Sequence, residues 1–365
     1  MINKKIKNNY LILVINPGST STKIAFFENK KVFFKEVIKH DFEKLNSFKK
    51  IIDQCDFRYQ TILKILKQKN VDLSCINIIM ARGGLMNPVK SGVYKINLKM
   101  IQDLKNENIW GKEHASNLGA LIAYKISKVF KIPCFIANPV CVDEMQEISK
   151  ISGFAEIERK SLFHALNVKA VIKKVNEKLC VHKKNVNYIV AHLGGGISIC
   201  ASFKDKIIDV NNALLGMGPF SPQRAGSLPI GDLIKLCFSK KYTQKELERK
   251  LSQESGLISY LKTDDLIEIQ KKIKNGDKKF LLIYKAMIYQ IAKEIGSMAT
   301  VLNGNVKAII LTGSLAFSKK LICDLKKRIS FIAPILIYPG EEEMNALAEK
   351  ALEVLQKKEK IKIYR

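Results

Sequence analysis

The sequence predicts an α/β protein built from two similar halves, and three observations carry that expectation. The first is a strand, turn and strand near the amino end: apolar β-forming runs at 11–15 and 23–27 flank the loop Asn16-Pro17-Gly18-Ser19-Thr20-Ser21-Thr22. The second is an echo of it. The stretch VAHLGGGISICASFKDKII, 190–208, aligns without a gap when Gly194 is set under Gly18, which also puts Ala201 under Ala25, Phe203 under Phe27 and Lys206 under Lys30, at an offset of 176 positions. The third is length, because 365 residues suit two domains better than one.

Taken in order, the chain continues from the turn Glu28-Asn29-Lys30 into a third strand at 32–38. Residues 48–68 have helical periodicity, with Ile51, Ile52, Cys55, Tyr59, Ile62, Leu63 and Leu66 on one face. A strand at 76–80 runs into the turn-rich loop Arg82-Gly83-Gly84-Leu85-Met86-Asn87-Pro88. An amphipathic helix at 116–130, a strand at 133–137 and a helix from 161 to about 178 follow. Three strands, helix, strand, helix, strand, helix is the order of a ribonuclease-H-like half.

The second half opens with a strand at 186–191 and repeats the three-strand start through Val210. Residues 214–229 (LLGMGPFSPQRAGSLP) are loop, and too long for a mere connector. Helices follow at 230–238, 244–251, 264–274 and 278–302, then a strand at 306–311, a helix at 316–328, a strand at 332–338 and a terminal helix to about 358. The expected fold is a duplicated ribonuclease-H-like α/β fold. Its domains would be 1–180, completed by the carboxyl-terminal helix within 343–365, and 181–342, around an interdomain cleft.

Composition narrows the function. No run of 18 apolar residues occurs, and MINKKIKNNY lacks the apolar stretch of a signal peptide, so no membrane span is expected and the cytoplasm is the expected location. The eight cysteines are scattered without a C-x-x-C pair, as in reduced, mostly buried residues of a cytosolic protein, and a zinc site is not expected. A net charge of +28 is the kind of balance that suits nucleic acid. The lysines, however, are spread along the chain as pairs such as Lys49-Lys50 and Lys271-Lys272, with no nucleic-acid motif beside them. A solvated basic surface that attracts anionic substrates is the better account.

The two hairpin turns are candidates to hold an anion. Gly18 permits a positive φ that turns backbone N–H groups outward, Ser19 and Ser21 add donors, and Lys23 adds charge. An ordinary Ser/Thr-rich turn is the alternative. In the second copy, His192-Leu193-Gly194-Gly195-Gly196, the lack of side chains lets a polyphosphate lie against main-chain amides. Arg82, before two glycines at the end of a strand, sits where open α/β sheets place ligand groups.

The stretches INPGSTSTKIA, ARGGLMNPV, HASNLGALIA, NPVCVDEM, ISGFAEIERKSLFHALNVKAV, AHLGGGIS, QRAGSLPIGDL, LTGSLAF and PGEEEMNALAEKAL occur in this order between about 11 and 355. Together they resemble the butyrate kinases, within the acetokinase branch of the actin-like kinase superfamily. The resemblance implies reversible transfer of a phosphoryl group between ATP and a short-chain fatty acid, with Mg2+, giving ADP and an acyl phosphate. Such chemistry needs in-line placement and charge neutralisation more than covalent catalysis. The carboxylate is already ionised at neutral pH and needs no general base.

By resemblance, Arg224 meets the transferring phosphoryl, Arg82 is a second cation of equivalent place only, and His164 stabilises the transition state as neutral donor or imidazolium. Asn16 orients the Mg2+-bound phosphates, Ser19, Ser21 and Lys23 continue that motif, and Glu343 reaches Mg2+ through water. Gly194, Gly195 and Gly196 meet the β- and γ-phosphates, His192 orients their loop, and Gly313 and Ser314 pass under the adenosine. The resemblance also implies a homodimer or larger homo-oligomer. Two positions depart from the pattern: Asn138, counted by resemblance with the catalytic residues, stands where an aspartate proposed as a catalytic carboxylate is usual and keeps its hydrogen-bonding shape without the charge, and Ser314 stands where a second glycine is usual. Rival readings are a kinase for acetate, propionate or branched acids, a weakly catalytic ATP-binding relative, and a nucleic-acid-binding protein.

Overall fold

The β-forming runs become strands that pair in the same order twice. In the computed structural model, which describes residues 9–106, 109–110, 114–182 and 186–365, the early strands are β1 (Leu11–Pro17), β2 (Ser21–Glu28), β3 (Lys31–Lys39), β4 (Ile78–Arg82), β5 (Val93–Lys95) and β6 (Cys134–Ala137). Later come β7 (Asn187–Leu193), β8 (Ile197–Phe203), β9 (Lys206–Val210), β10 (Ala308–Gly313), β11 (Ile335–Pro339) and the short β12 (Ile361–Ile363). One sheet has the order β12-β5-β6-β4-β1-β2-β3 and the other β11-β10-β7-β8-β9. In both, the opening hairpin is antiparallel and its first strand then pairs in parallel with the next strand to arrive, β1 with β4 and β7 with β10. The offset read from the glycines carries β1 onto β7 end to end.

The chain divides into two units, 1–142 with 342–365, and 143–341. In the first, Leu13, Ile15, Ile79 and Ala81 share a core with Tyr59, Ile62 and Leu66 of the helix Cys55–Gln68 and with Leu118, Ile122 and Ile126 of the helix Asn117–Phe130. Alternation along a strand sends Ile12, Val14, Ile78 and Met80 to the other face. The terminal helix Glu343–Leu355 packs against β1 and β4, and its buried residues lie outside that core, so it covers this second face. The other unit repeats the arrangement. The helix Lys278–Val301 shares a core with Ile189, Ala191 and Leu311, while the helix Ala165–Lys178 packs on β7 from the opposite side. Covered on both faces, the inner strands are apolar along most of their length and turn polar towards their ends.

Several sequence expectations change in detail. Residues 143–180, assigned from sequence to the first half, pack with the second unit: Gln146 N donates to Ile208 O at 3.1 Å, and Lys169 Nζ pairs with Glu144 Oε2 at 2.7 Å. The expected helix at 48–68 is a 3-10 turn, Ile51–Gln54, followed by Cys55–Gln68. The helix expected at 316–328 begins as the 3-10 turn Ser314–Phe317 and resumes at Lys319–Ile329, capped by Ser318. Cysteines are less buried than expected, since Cys180, Cys237 and Cys323 are exposed and only Cys134, Cys141 and Cys200 are buried. Among the described residues no helix is long and apolar enough to cross a membrane.

The expected last helix stops at Leu355, and the chain then turns back to add β12 in parallel to β5. Tyr364, 3% exposed, closes the strand: its hydroxyl donates to Asp103 Oδ2 at 2.7 Å and accepts from Asn87 N at 3.1 Å. Burial, with the bond to Asp103, pushes the phenol up and keeps it a donor. Tyr364→Phe removes both bonds, one to a buried carboxylate and one from a backbone N–H, so unfolding in urea should lose about 1–3 kcal/mol. An unchanged midpoint would mean that the tail contributes nothing.

Candidate functional site

In the first unit the loop expected at 16–22 is mostly strand. Asn16 pairs with Lys23 and Pro17 with Thr22, which leaves Gly18, Ser19 and Thr20 as the tip. Gly18 is absent from the residues with positive φ, and its N–H bonds Ser21 O at 2.8 Å. The turn is instead shaped from beneath by Arg58, fully buried on the apolar face of the helix Cys55–Gln68. Its guanidinium donates to Gly18 O at 2.8 Å, Ser19 O at 2.9 Å, Ser21 O at 3.0 Å and Thr22 Oγ1 at 3.1 Å. Sequence reasoning passed over this residue, although a cation in register with Ile62 and Leu66 on a buried stripe was a visible anomaly.

At the end of β1 three expected residues form one cluster. Asn16 Nδ2 donates to Glu343 Oε2 at 2.7 Å, and Arg82 Nη1 reaches the same oxygen at 2.8 Å and Asn16 Oδ1 at 3.4 Å. Asn16 and Glu343 are 3% and 5% exposed, so this is a desolvated, charge-assisted arrangement. Glu343 opens the terminal helix, which brings it under the sheet from far along the chain. Ser19 and Lys23 are exposed and Ser21 partly so.

The glycines after Arg82 serve close packing. A Cβ on Gly83 would meet Pro139 Cβ at 2.5 Å, and one on Gly84 would meet Asn117 Oδ1 at 2.3 Å. Asn138 follows β6 with φ of +40°, a conformation that asparagine and aspartate tolerate better than most residues. It is 5% exposed, its Oδ1 accepts from Gly92 N at 2.8 Å, and its own N–H donates to Gly92 O at 3.0 Å. That closure needs an oxygen acceptor and no charge, so an amide serves it as well as a carboxylate.

In the second unit His192 holds the place that Asn16 holds in the first. Asn167 Nδ2 donates to His192 Nδ1 at 2.7 Å, which leaves the proton of the neutral ring on Nε2. That nitrogen lies 3.1 Å from Glu341 Oε1 without the alignment of a hydrogen bond. His164, just before the helix Ala165–Lys178, stacks on His192 with centroids 3.9 Å apart and planes at 17°. Ser198 Oγ accepts from His164 N at 3.3 Å and lies 2.8 Å from His164 Nδ1. Giving the buried hydroxyl proton its partner makes Nδ1 an acceptor and puts the ring proton on Nε2, as a neutral donor requires.

The glycine turn between β7 and β8 is where Arg224 belongs. None of Gly194, Gly195 and Gly196 has positive φ; they are glycines because of what lies against them. A Cβ on Gly196 would stand 2.2 Å from Arg224 Nη1, and one on Gly195 would stand 3.0 Å from Gln223 Oε1. The loop at 214–229 is tied to the turn by Ser221 Oγ donating to Gly195 O at 2.6 Å, and Arg224 Nη1 donates to Ala213 O at 2.5 Å. A guanidinium fork is thus fixed beside the main chain of the turn. Gly313, with φ of +91°, is needed for both reasons, since a Cβ there would sit 2.3 Å from Leu193 O. Ser314 is exposed and begins the 3-10 turn after β10.

Gly196→Ala should displace Arg224 while leaving both sheets intact. Any phosphoryl-transfer turnover should then fall at least about tenfold with unchanged far-ultraviolet circular dichroism. Wild-type turnover would show that the packing is incidental. A second expectation concerns His40, whose Nε2 lies 2.8 Å from Thr22 Oγ1 and whose pKa is held down to about 4 by burial and then by Arg58. An unfolded histidine takes a proton below about 6.5 that folded His40 refuses, so stability should fall as pH drops from about 6.5 to about 4. His40→Gln should flatten that slope in urea titrations. Parallel curves for the two proteins would dismiss the assignment.

Residues 155–330 match the model of the acetokinase family. Acetate kinase from Porphyromonas gingivalis superposes with a TM-score of 0.77 at 18% identity, covering 95% of this chain and 100% of that one. A propionate kinase from Francisella tularensis subsp. tularensis gives 0.75 at 17% identity, covering 93% and 98%. Acetate kinase from Entamoeba histolytica gives 0.74 at 18% identity, covering 95% and 100%. The chain has the duplicated actin-like ATPase fold of these kinases, and its segment 155–330 matches the acetokinase family.

Proposed function

We propose that the protein is a carboxylate kinase that moves the γ-phosphoryl group reversibly between ATP and a short-chain fatty acid, butyrate or one of similar size. The observation that carries this reading is the Arg224 fork lodged against Gly196, a cation that suits phosphoryl oxygens, fixed beside a turn free of side chains. Support comes from the family match over the same segment.

The substrate carboxylate is ionised at neutral pH, so the task is to hold two repelling anions and spread charge as the phosphoryl passes. Arg224 neutralises the transferring group, and His164 donates from Nε2 to an oxygen that gains charge. Arg82 offers a second cation. Asn138 contributes a closed turn after β6 rather than a charge.

Among the described residues no group of three or more His, Cys, Asp or Glu gathers for a metal. Asn16 and Glu343 supply only hard oxygen donors, with one carboxylate, and this set fits Mg2+ carried chiefly by phosphates and water. When bound there, Mg2+ would neutralise phosphate charge. A cytoplasmic homo-oligomer completes the reading, supported by the helix Ile230–Phe238, which buries none of its residues and exposes Ile230 and Phe238 by 72% and 83%.

A hydroxamate assay with ATP and Mg2+ over straight acids of about two to five carbons tests the proposal. The largest kcat/KM should fall on butyrate, and Arg224→Ala should lower turnover about 100-fold or more with retained fold. A maximum on acetate or propionate would move the specificity and keep the reaction class. No acyl hydroxamate from any acid would end the reading.

A further inference from the structure

The geometry points to Arg58 as a positioning residue that makes the β1–β2 turn a polyphosphate site, by supplying a buried positive charge and by turning the loop's carbonyls inward. The inference rests on the reading of that turn as a phosphate-binding element, and not on which acid accepts the phosphoryl.

The six hydrogen bonds of the guanidinium all end on neutral oxygens: Gly18 O, Ser19 O, Ser21 O, Thr22 Oγ1 and Gln54 Oε1, the last accepting twice at 3.1 and 2.8 Å. Among the described residues no carboxylate forms an ion pair with it. A fully buried cation without a counter-ion is costly, and hydrogen bonds to carbonyls offset that cost without cancelling the charge. The remaining field is felt at the turn directly above.

The same bonds decide which way the turn faces. Gly18 O and Ser19 O point to Arg58, and Thr20 O accepts from His40 N at 3.0 Å. The peptides of the turn are trans, so the N–H of each following residue points opposite to the C=O before it. The N–H groups of Ser19 and Thr20 therefore point away from Arg58, and that of Ser21 points away from His40 N. With its carbonyls withdrawn, the outer side of the tip carries donors, which is how a main-chain turn selects an anion. Thr22 fits the scheme: its hydroxyl accepts from Arg58 at 3.1 Å and so gives its proton to His40 Nε2 at 2.8 Å.

A purely mechanical clamp and a charged floor are separated by Gln54→Glu. That change keeps both bonds from Arg58 and gives it a counter-ion, so the clamp persists while the charge is cancelled. Affinity for sodium tripolyphosphate, read by calorimetry on the full chain, should fall about tenfold, with the melting temperature unchanged or raised. The KM for ATP should rise in step and the KM for the acid should not. Arg58→Lys, which retains charge but not the fork, should melt lower yet bind tripolyphosphate better than Arg58→Gln. Tripolyphosphate affinity within twofold of wild type in Gln54→Glu would overturn the proposal even if that variant melts differently. Equal affinity in the Lys and Gln variants would overturn it as well. Because tripolyphosphate binding requires no acid substrate, failure of the carboxylate-kinase reading would leave this result interpretable.

Discussion

Each half of this protein depends on one hairpin turn held against an arginine. In the first unit the arginine lies beneath the turn and is satisfied by three of its carbonyls together with Thr22 and Gln54. In the second it lies beside the turn, in space that a single β-carbon would fill. Both use a planar fork, which in Arg58 makes six bonds to neutral oxygens and in Arg224 reaches Ala213 O. They differ in where the fork lies, under the carbonyls of one turn and against the glycine backbone of the other.

Around these turns, polar residues at the end of each first strand are coupled to a helix start. Asn16 and His192 occupy equivalent places in the repeat, and each is fixed by a group that arrives from far along the chain, Glu343 in one case and Asn167 in the other. Such pairs fix rotamers and tautomers in a desolvated setting, where an unpaired polar atom is expensive. That is why buried polar residues gather here and are sparse in the two apolar cores.

Glycine and asparagine do different work at different places. Gly83, Gly84 and Gly196 stand where neighbouring atoms leave no room for a side chain, without positive φ. Gly313 combines that crowding with a backbone conformation closed to most residues. Asn138 shows the related case of a non-glycine residue with positive φ, where the side chain completes the turn it distorts. A motif rich in glycine is therefore as much a record of tight packing as of ligand access.

The repeat, the strand order and the location of the loops were legible in the amino acids, because alternation, helical period and turn chemistry are local properties that a chain carries with it. The neighbourhood of Arg224, the glycine turn and His164 was legible only as a resemblance. Local pattern did not reveal that Gly18 keeps an ordinary φ, that the strands consume most of the expected loop, or that a cation lies under it. Nor did it reveal β5 and β12, strands too short to announce themselves. These were decided by tertiary structure, because they depend on atoms brought together across tens to hundreds of residues. Arg58 meets Gly18 from 40 positions away, and Asn16 meets Glu343 from 327. Sequence alone determined where the longer strands and helices would lie; the orientation of each peptide and side chain at the turns followed from whichever partner could satisfy a buried charge or polar atom there.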